Sequence, residues 1–281
     1  MTKPLSISIT LCLTALVSQA QEERRPVDAI KDLQTPEVTD EEPAAGKRVR
    51  LQLPKYEGSG VYHALYLPTD WKEGEIYPVM VEFAGNKWKT GPGTVEASNL
   101  GYGISGGEGM IWVCVPYVNT REMINQVTWW GDVDATVEYC KTVVKQVCEG
   151  YGGDPDAVVI AGFSRGAIAC NYIGLHDDEI ASLWKGFICH SHYDGVRSWG
   201  YAKSDKVSAR ERLGRLRGRP QYISHENSVE ASRGYLAEAM PDGNFTFQAL
   251  KGWGHTDAWV LYDIPERKAL RKWLKTVIEG P

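Results

Sequence analysis

The stretch VVIAGFSRGAIACNYIGL, residues 158–175, decides how the whole chain is read. Val158 to Ala161 is an apolar run without polar alternation, the pattern of a strand buried on both faces. Ala167 to Leu175 is a run of small and apolar residues suited to a buried helix. Gly-Phe-Ser-Arg-Gly (162–166) therefore falls on a strand-to-helix turn. A turn that tight strains its central residue and leaves no room for side chains at 162 and 166. It lifts the Ser164 hydroxyl above the sheet edge, beside the N-terminus of the helix. In that context G-x-S-x-G presents a nucleophile rather than an ordinary glycine-rich turn.

Further runs of the same non-alternating kind lie on both sides of this stretch: PVMVEF (78–83), MIWVCVPY (110–117), WKGFICH (184–190), PQYIS (220–224) and FTFQAL (245–250). Helical segments are expected between them at Asp132–Gly150, Ser164–Leu175, Ser228–Met240 and Pro265–Glu279. In the first of these Asp132 serves as N-cap and Gly150 as the stop. Strand alternating with helix predicts an α/β fold around a mainly parallel sheet. RVRLQL (48–53) and GVYHALYLP (60–68) alternate polar and apolar residues and are expected to add an antiparallel edge. GYGISG (101–106) matches G-x-G-x-x-G formally but leads into a strand. A dinucleotide site needs a strand before the motif and a helix after it, so a flexible loop near the site is expected instead.

Residues 1–20 carry Lys3, a mostly apolar run from Leu5 to Val17, and Ser18-Gln19-Ala20 before a cleavage point. This is the pattern of a secretory signal peptide; an apolar run of about 13 residues is too short to span a bilayer. Residues 21–46, acidic and proline-rich, are expected to form a disordered leader. One large domain should follow from residue 47 to 281. The net charge of −5 gives no case for a nucleic acid or an anionic membrane as partner. Cys114, Cys140, Cys148, Cys170 and Cys189 show no metal-like spacing and are expected as buried free thiols, with one disulfide as the alternative in an oxidising compartment.

A serine at its ordinary pKa needs a base. His255, in LKGWGHTDAWVLYD, follows the last predicted strand in a glycine-flanked loop and is the candidate. The imidazole in turn needs an acid to orient it. Glu226, directly after the strand PQYIS, is the first candidate, and Asp194, in HSHYDG after the preceding strand, is the alternative. His190 and His192 also follow a strand and are candidate substrate-binding residues, with Trp253. The His-x-His pair has no third metal ligand at suitable spacing, so no metal is expected. Oxyanion donors are expected at the Arg165 amide and in Ala84-Gly85-Asn86, with Asn86 as the candidate. The Arg165 side chain would either meet an acidic group of the substrate or form a surface salt bridge. Trp88, Trp129, Trp130, Trp199 and Trp259 also fall in or near predicted loops, as core and rim packing or as faces for sugars or phenolic acids.

With VEFAGN, GFSRGA, SHEN and the late GWGH in order, residues 48–279 resemble the α/β-hydrolase superfamily. They are most similar to secreted carboxylesterase-like proteins of the feruloyl esterase, polyhydroxybutyrate depolymerase and dienelactone hydrolase type. The resemblance implies a mostly parallel sheet of about eight strands with helices on both faces. It also implies a Ser–acid–His triad without a cofactor, falling on Ser164, Glu226 and His255. The chain departs from the family pattern at Ala84-Gly85, where His-Gly is usual, and at His225-Glu226-Asn227, where the acid loop usually reads Gly-x-x-Asp. The expected activity is hydrolysis of small-molecule or polymer-linked esters. A serine peptidase of the same fold and a non-catalytic binding protein on this scaffold are the competing expectations.

Overall fold

The computed structural model describes residues 25–26, 28–89 and 91–280. The expected signal segment 1–20 lies outside them. The strands are β1 (Val38–Thr39), β2 (Arg48–Leu51), β3 (His63–Tyr66), β4 (Tyr77–Phe83), β5 (Ile111–Val115), β6 (Val118–Asn119), β7 (Ile124–Asn125), β8 (Gly153–Phe163), β9 (Gly186–His190), β10 (Gln221–His225) and β11 (Phe245–Ala249). The helices are α1 (Leu100–Ser105), α2 (Val133–Tyr151), α3 (Arg165–Tyr172), α4 (Asp178–Ser182), α5 (Lys206–Leu213), α6 (Glu230–Ala239) and α7 (Pro265–Glu279). Among the described residues nine strands form one sheet in the order β1-β2-β3-β5-β4-β8-β9-β10-β11, in line with the expected sheet of about eight. The antiparallel edge is the run β2, β3, β5; the pairs from β5 through β11 are parallel.

The non-alternating apolar runs have a direct cause. Val79, Val81, Val158 and Ile160 point into one core layer, while Met80, Val159 and Ala161 point into the other. The first layer is covered by α2 and α3, the second by α1 and α7. Strands buried on both faces have no polar side to show. From β4 the chain passes to β5 on one side and later returns to β8 on the other. This is a switch point, outside whose carboxyl ends an open α/β sheet leaves a crevice.

Three boundaries differ from expectation. The acidic leader is docked rather than mobile over its described part. Val38–Thr39 pairs with Arg48–Val49, Leu33 packs on the second core layer, and Asp32 makes a bidentate pair with the buried Arg267 at 2.7 and 2.6 Å. A few well-placed side chains repay the ordering cost that average composition suggests the segment cannot meet. The glycine-rich GYGISG is mostly helix: Leu100–Ser105 is α1. A Cβ on Gly101 would stand 2.0 Å from Trp112, and one on Gly103 2.2 Å from Val260. The glycines let the helix lie close rather than make it a loop. Gly152, not Gly150, closes α2, in the left-handed conformation, while Asp132 caps its start by accepting from the Ala135 amide. The five expected thiols are free, with Cys148 partly exposed and the others buried. No helix among the described residues is long and apolar enough to cross a membrane.

Candidate active site

Ser164 links β8 to α3 with φ 56° and ψ −114°, a strained conformation for a residue with a side chain. The glycines around it are sterically required. A Cβ on Gly162 would fall 2.1 Å from the Gly166 backbone, and one on Gly166 would fall 1.9 Å from the Phe83 carbonyl oxygen of β4. The Ser164 amide donates to the His190 carbonyl at the end of β9 (2.9 Å), which holds the turn against its strain. The hydroxyl emerges beside the first amides of α3, which lack acceptors within the helix.

His255 brings its Nε2 to 3.0 Å from Ser164 Oγ and its Nδ1 to 2.7 Å from Glu226 Oε1. A carboxylate only accepts, so Nδ1 carries the hydrogen and Nε2 offers a lone pair to the serine. Glu226 directly follows β10 and is buried. Burial alone would raise its pKa. The hydrogen bond from His255, its own backbone N–H and the nearby His190 and His225 outweigh that and hold the carboxyl at about 2. Of the two candidate acids, the structure brings Glu226 to the imidazole.

Asp194 lies elsewhere. Its buried carboxylate accepts from Arg212 Nε at 2.9 Å and Nη2 at 3.1 Å, and it has no part in the contact with His255. His190 is also misplaced by the sequence. It is fully buried, with Nδ1 2.9 Å from Ser224 Oγ and Nε2 3.0 Å from the Thr256 carbonyl, so it supports the His255 loop from beneath. Trp253 is buried edge-on against Tyr262 and does not reach the cleft. A side chain's parity at a strand end decides between core and cleft, and loop sequence does not reveal it.

Arg165 corrects the salt-bridge expectation for its side chain. The guanidinium is buried on the face of Tyr117, 3.8 Å from the ring centre, and forms no surface salt bridge among the described residues. It donates to the carbonyls of Gly85 (2.7 Å), Gly93 (3.3 Å), Gln126 (3.3 Å) and Trp129. Burial lowers its pKa to about 10, which leaves it charged at neutral pH. One cation thus ties the loop after β4 to the loop before α2 and shapes the wall opposite Ser164. Asn86 lines the same wall, and its Oδ1 accepts from the Trp129 amide at 2.8 Å. The side-chain oxygen is thus engaged in structure, and the donors Asn86 can offer an oxyanion are its backbone N–H and its side-chain NH2.

Sequence reasoning missed Ser191. Its φ of 84° swings the chain so that Oγ donates to Glu226 Oε1 (3.1 Å) and lies 2.8 Å from His255 Nδ1. Nothing in HSHYDG signals this, because the contact depends on a backbone turn at the end of β9. Above these residues opens a cleft of about 760 Å³, with Trp88, Trp129, Trp199, Phe163 and His192 among its walls. Asp257 also lines it and accepts from the Asn99 amide and side chain at 3.0 and 2.9 Å.

No family model matches the chain, and no curated protein matches it. Solved structures do. An acetyl ester-xyloside bifunctional hydrolase from Caldicellulosiruptor lactoaceticus aligns with TM-score 0.58 at 14% identity, over 84% of this chain and 97% of that one. The feruloyl esterase module from Clostridium thermocellum, solved with sinapinate, aligns with TM-score 0.54 at 16% identity, over 83% and 89%. A thermostable esterase aligns with TM-score 0.53 at 14% identity over 81% of this chain; the alignment spans 62% of that protein's length. At such identities the likeness concerns architecture, and with the sheet order and the β8–α3 turn it carries one conclusion: the chain has the α/β-hydrolase fold.

Proposed function

We propose that the chain is a serine carboxylic-ester hydrolase working through an acyl-enzyme, exported to the periplasm or beyond. The carrying observation is the continuous contact from Ser164 through His255 to Glu226 at 3.0 and 2.7 Å, built on a strained serine. Ser164 Oγ attacks the ester carbonyl carbon as its proton passes to His255 Nε2. Glu226 steadies the imidazolium. The backbone amide of Arg165 and an N–H of Asn86 receive the oxyanion. The tetrahedral intermediate collapses and the C–O bond to the alcohol breaks, with the alcohol oxygen taking the proton from His255. A water then gives its proton to His255 and attacks the acyl carbon; the acid leaves and Ser164 regains its hydrogen.

The aromatic walls of the cleft support esters linked to plant or algal polysaccharide as the substrate class. The acetyl ester-xyloside hydrolase and feruloyl esterase among the structural neighbours point the same way. Export rests on residues 1–20. Labelling the purified protein with a fluorophosphonate probe and mapping the modified residue tests the nucleophile. Modification at Ser164, lost with turnover of p-nitrophenyl acetate in Ser164→Ala, is the expected result. Activity near wild type in that variant would sink the proposal. Assaying acyl esters beside aminoacyl amides separates an esterase from a peptidase of the same fold.

A further inference from the structure

Residues 190–192 leave β9 in three directions. His190 turns into the core, Ser191 reaches Glu226 and His255, and His192 stands on the wall of the cleft. The His192 ring is held between Trp199, 5.1 Å away centre to centre, and His255, 5.4 Å away. Its Nδ1 lies 2.8 Å from the Ser191 carbonyl oxygen. A carbonyl has only lone pairs to offer, so Nδ1 carries the ring hydrogen. In the neutral ring Nε2 is then a pure acceptor, and among the described residues it takes no hydrogen bond. Burial lowers the His192 pKa to about 4 and so keeps the ring neutral at working pH.

The position of this acceptor gives it a meaning. His255 Nε2 hands its proton to the leaving alcohol oxygen, so the alcohol half of the ester must lie against the His255 ring. His192 borders that place. Substrate covering this wall strips the water from Nε2; left without a donor the acceptor weakens binding, whereas a substrate hydroxyl that donates to it makes good the loss. We propose that His192 is a specificity-determining residue. Its Nε2 accepts a hydrogen bond from a hydroxyl on the carbon next to the ester-bearing one, so that the cleft favours monoacyl esters of polyols. The proposal rests on the hydrolase reading above.

The test compares kcat/KM for 2-hydroxyethyl acetate and propyl acetate, in which a methyl group of similar size replaces the hydroxyl. The wild-type protein should prefer the hydroxyethyl ester by about tenfold, the worth of one such hydrogen bond. His192→Phe keeps an aromatic ring on Trp199 and should erase the preference; His192→Gln, with an amide oxygen as acceptor, should retain part of it. Equal handling of the two esters by the wild type would overturn the proposal, even if neither variant folds. So would an undiminished preference in His192→Phe. p-Nitrophenyl acetate, which has no such hydroxyl, separates the two levels of argument. Turnover of it without discrimination between the other two esters sinks the His192 assignment alone, whereas failure on all three removes the hydrolase reading and the assignment with it.

Discussion

Two buried acids follow neighbouring parallel strands: Asp194 after β9 and Glu226 after β10. They end up with opposite characters. Asp194 faces the guanidinium of Arg212, which never gives up its charge, in a pair whose side chains are 2% and 7% exposed. Burial raises its carboxyl to about 6, although Arg212 pulls the other way. Glu226 faces His255, whose charge changes with a single proton, and it is held down at about 2. An acid locked to a permanent cation braces α5 against the turn after β9. An acid set against an imidazole is available to steady a charge that comes and goes. Position after a strand made both residues candidates; the identity of the partner separates them.

The strongest way to break this contrast is Glu226→Gln. It preserves shape but removes the charge that orients and stabilises His255, and it should lower kcat on p-nitrophenyl acetate by about 10³–10⁴-fold in a folded protein. A variant within tenfold of wild type would show that another group steadies the imidazole. Next comes Arg212→Met, which strips Asp194 of its cation and leaves a carboxylate buried alone. Urea unfolding at pH 8 should show a loss of about 3–5 kcal/mol. Much of that loss should be recovered at pH 5, where Asp194 takes up a proton, and the folded fraction should keep its kcat. If Arg212→Met instead abolished turnover at unchanged stability, Asp194 would belong to the chemistry. Ser191→Ala is expected to matter less. Loss of one hydrogen bond to the Glu226 carboxylate should lower kcat about tenfold, with KM little changed.

The residues legible in the sequence are those fixed by local mechanics. GFSRG announces its turn because Gly162 and Gly166 each face backbone at about 2 Å. The strands β4, β5 and β8 announce themselves because both faces are buried. His255 and Glu226 could be placed near Ser164 because they follow strands that end on the same sheet edge. What stayed hidden depends on contacts between distant segments. Arg212, which claims Asp194, lies 18 residues further on. The four carbonyls that hold Arg165 come from two separate loops. The outward and inward faces of His192 and His190 follow from a left-handed residue at Ser191 that no side-chain pattern encodes.

The smallest effect is also the sharpest test of the contrast, because the two acids should move stability in opposite directions with pH. Glu226 has a native pKa below its ordinary 4.5, so its ionised form is favoured by folding. Its contribution is complete above about pH 4.5 and is lost as pH falls toward 2. Asp194 has a native pKa above its ordinary 3.8, so folding favours its protonated form. That contribution is complete below about pH 3.8 and disappears as pH rises through 6. The Tm difference between wild type and Glu226→Gln should therefore grow in favour of the wild type as pH rises from about 3 to 5. The difference between wild type and Asp194→Asn should shift against the wild type from about pH 4 to 7. Each shift should amount to a few degrees at this chain length. Calorimetry across that range decides the matter: two difference curves with the same sign of slope would mean that the two carboxylates share one kind of environment, and the distinction between a bracing acid and a working one would fall.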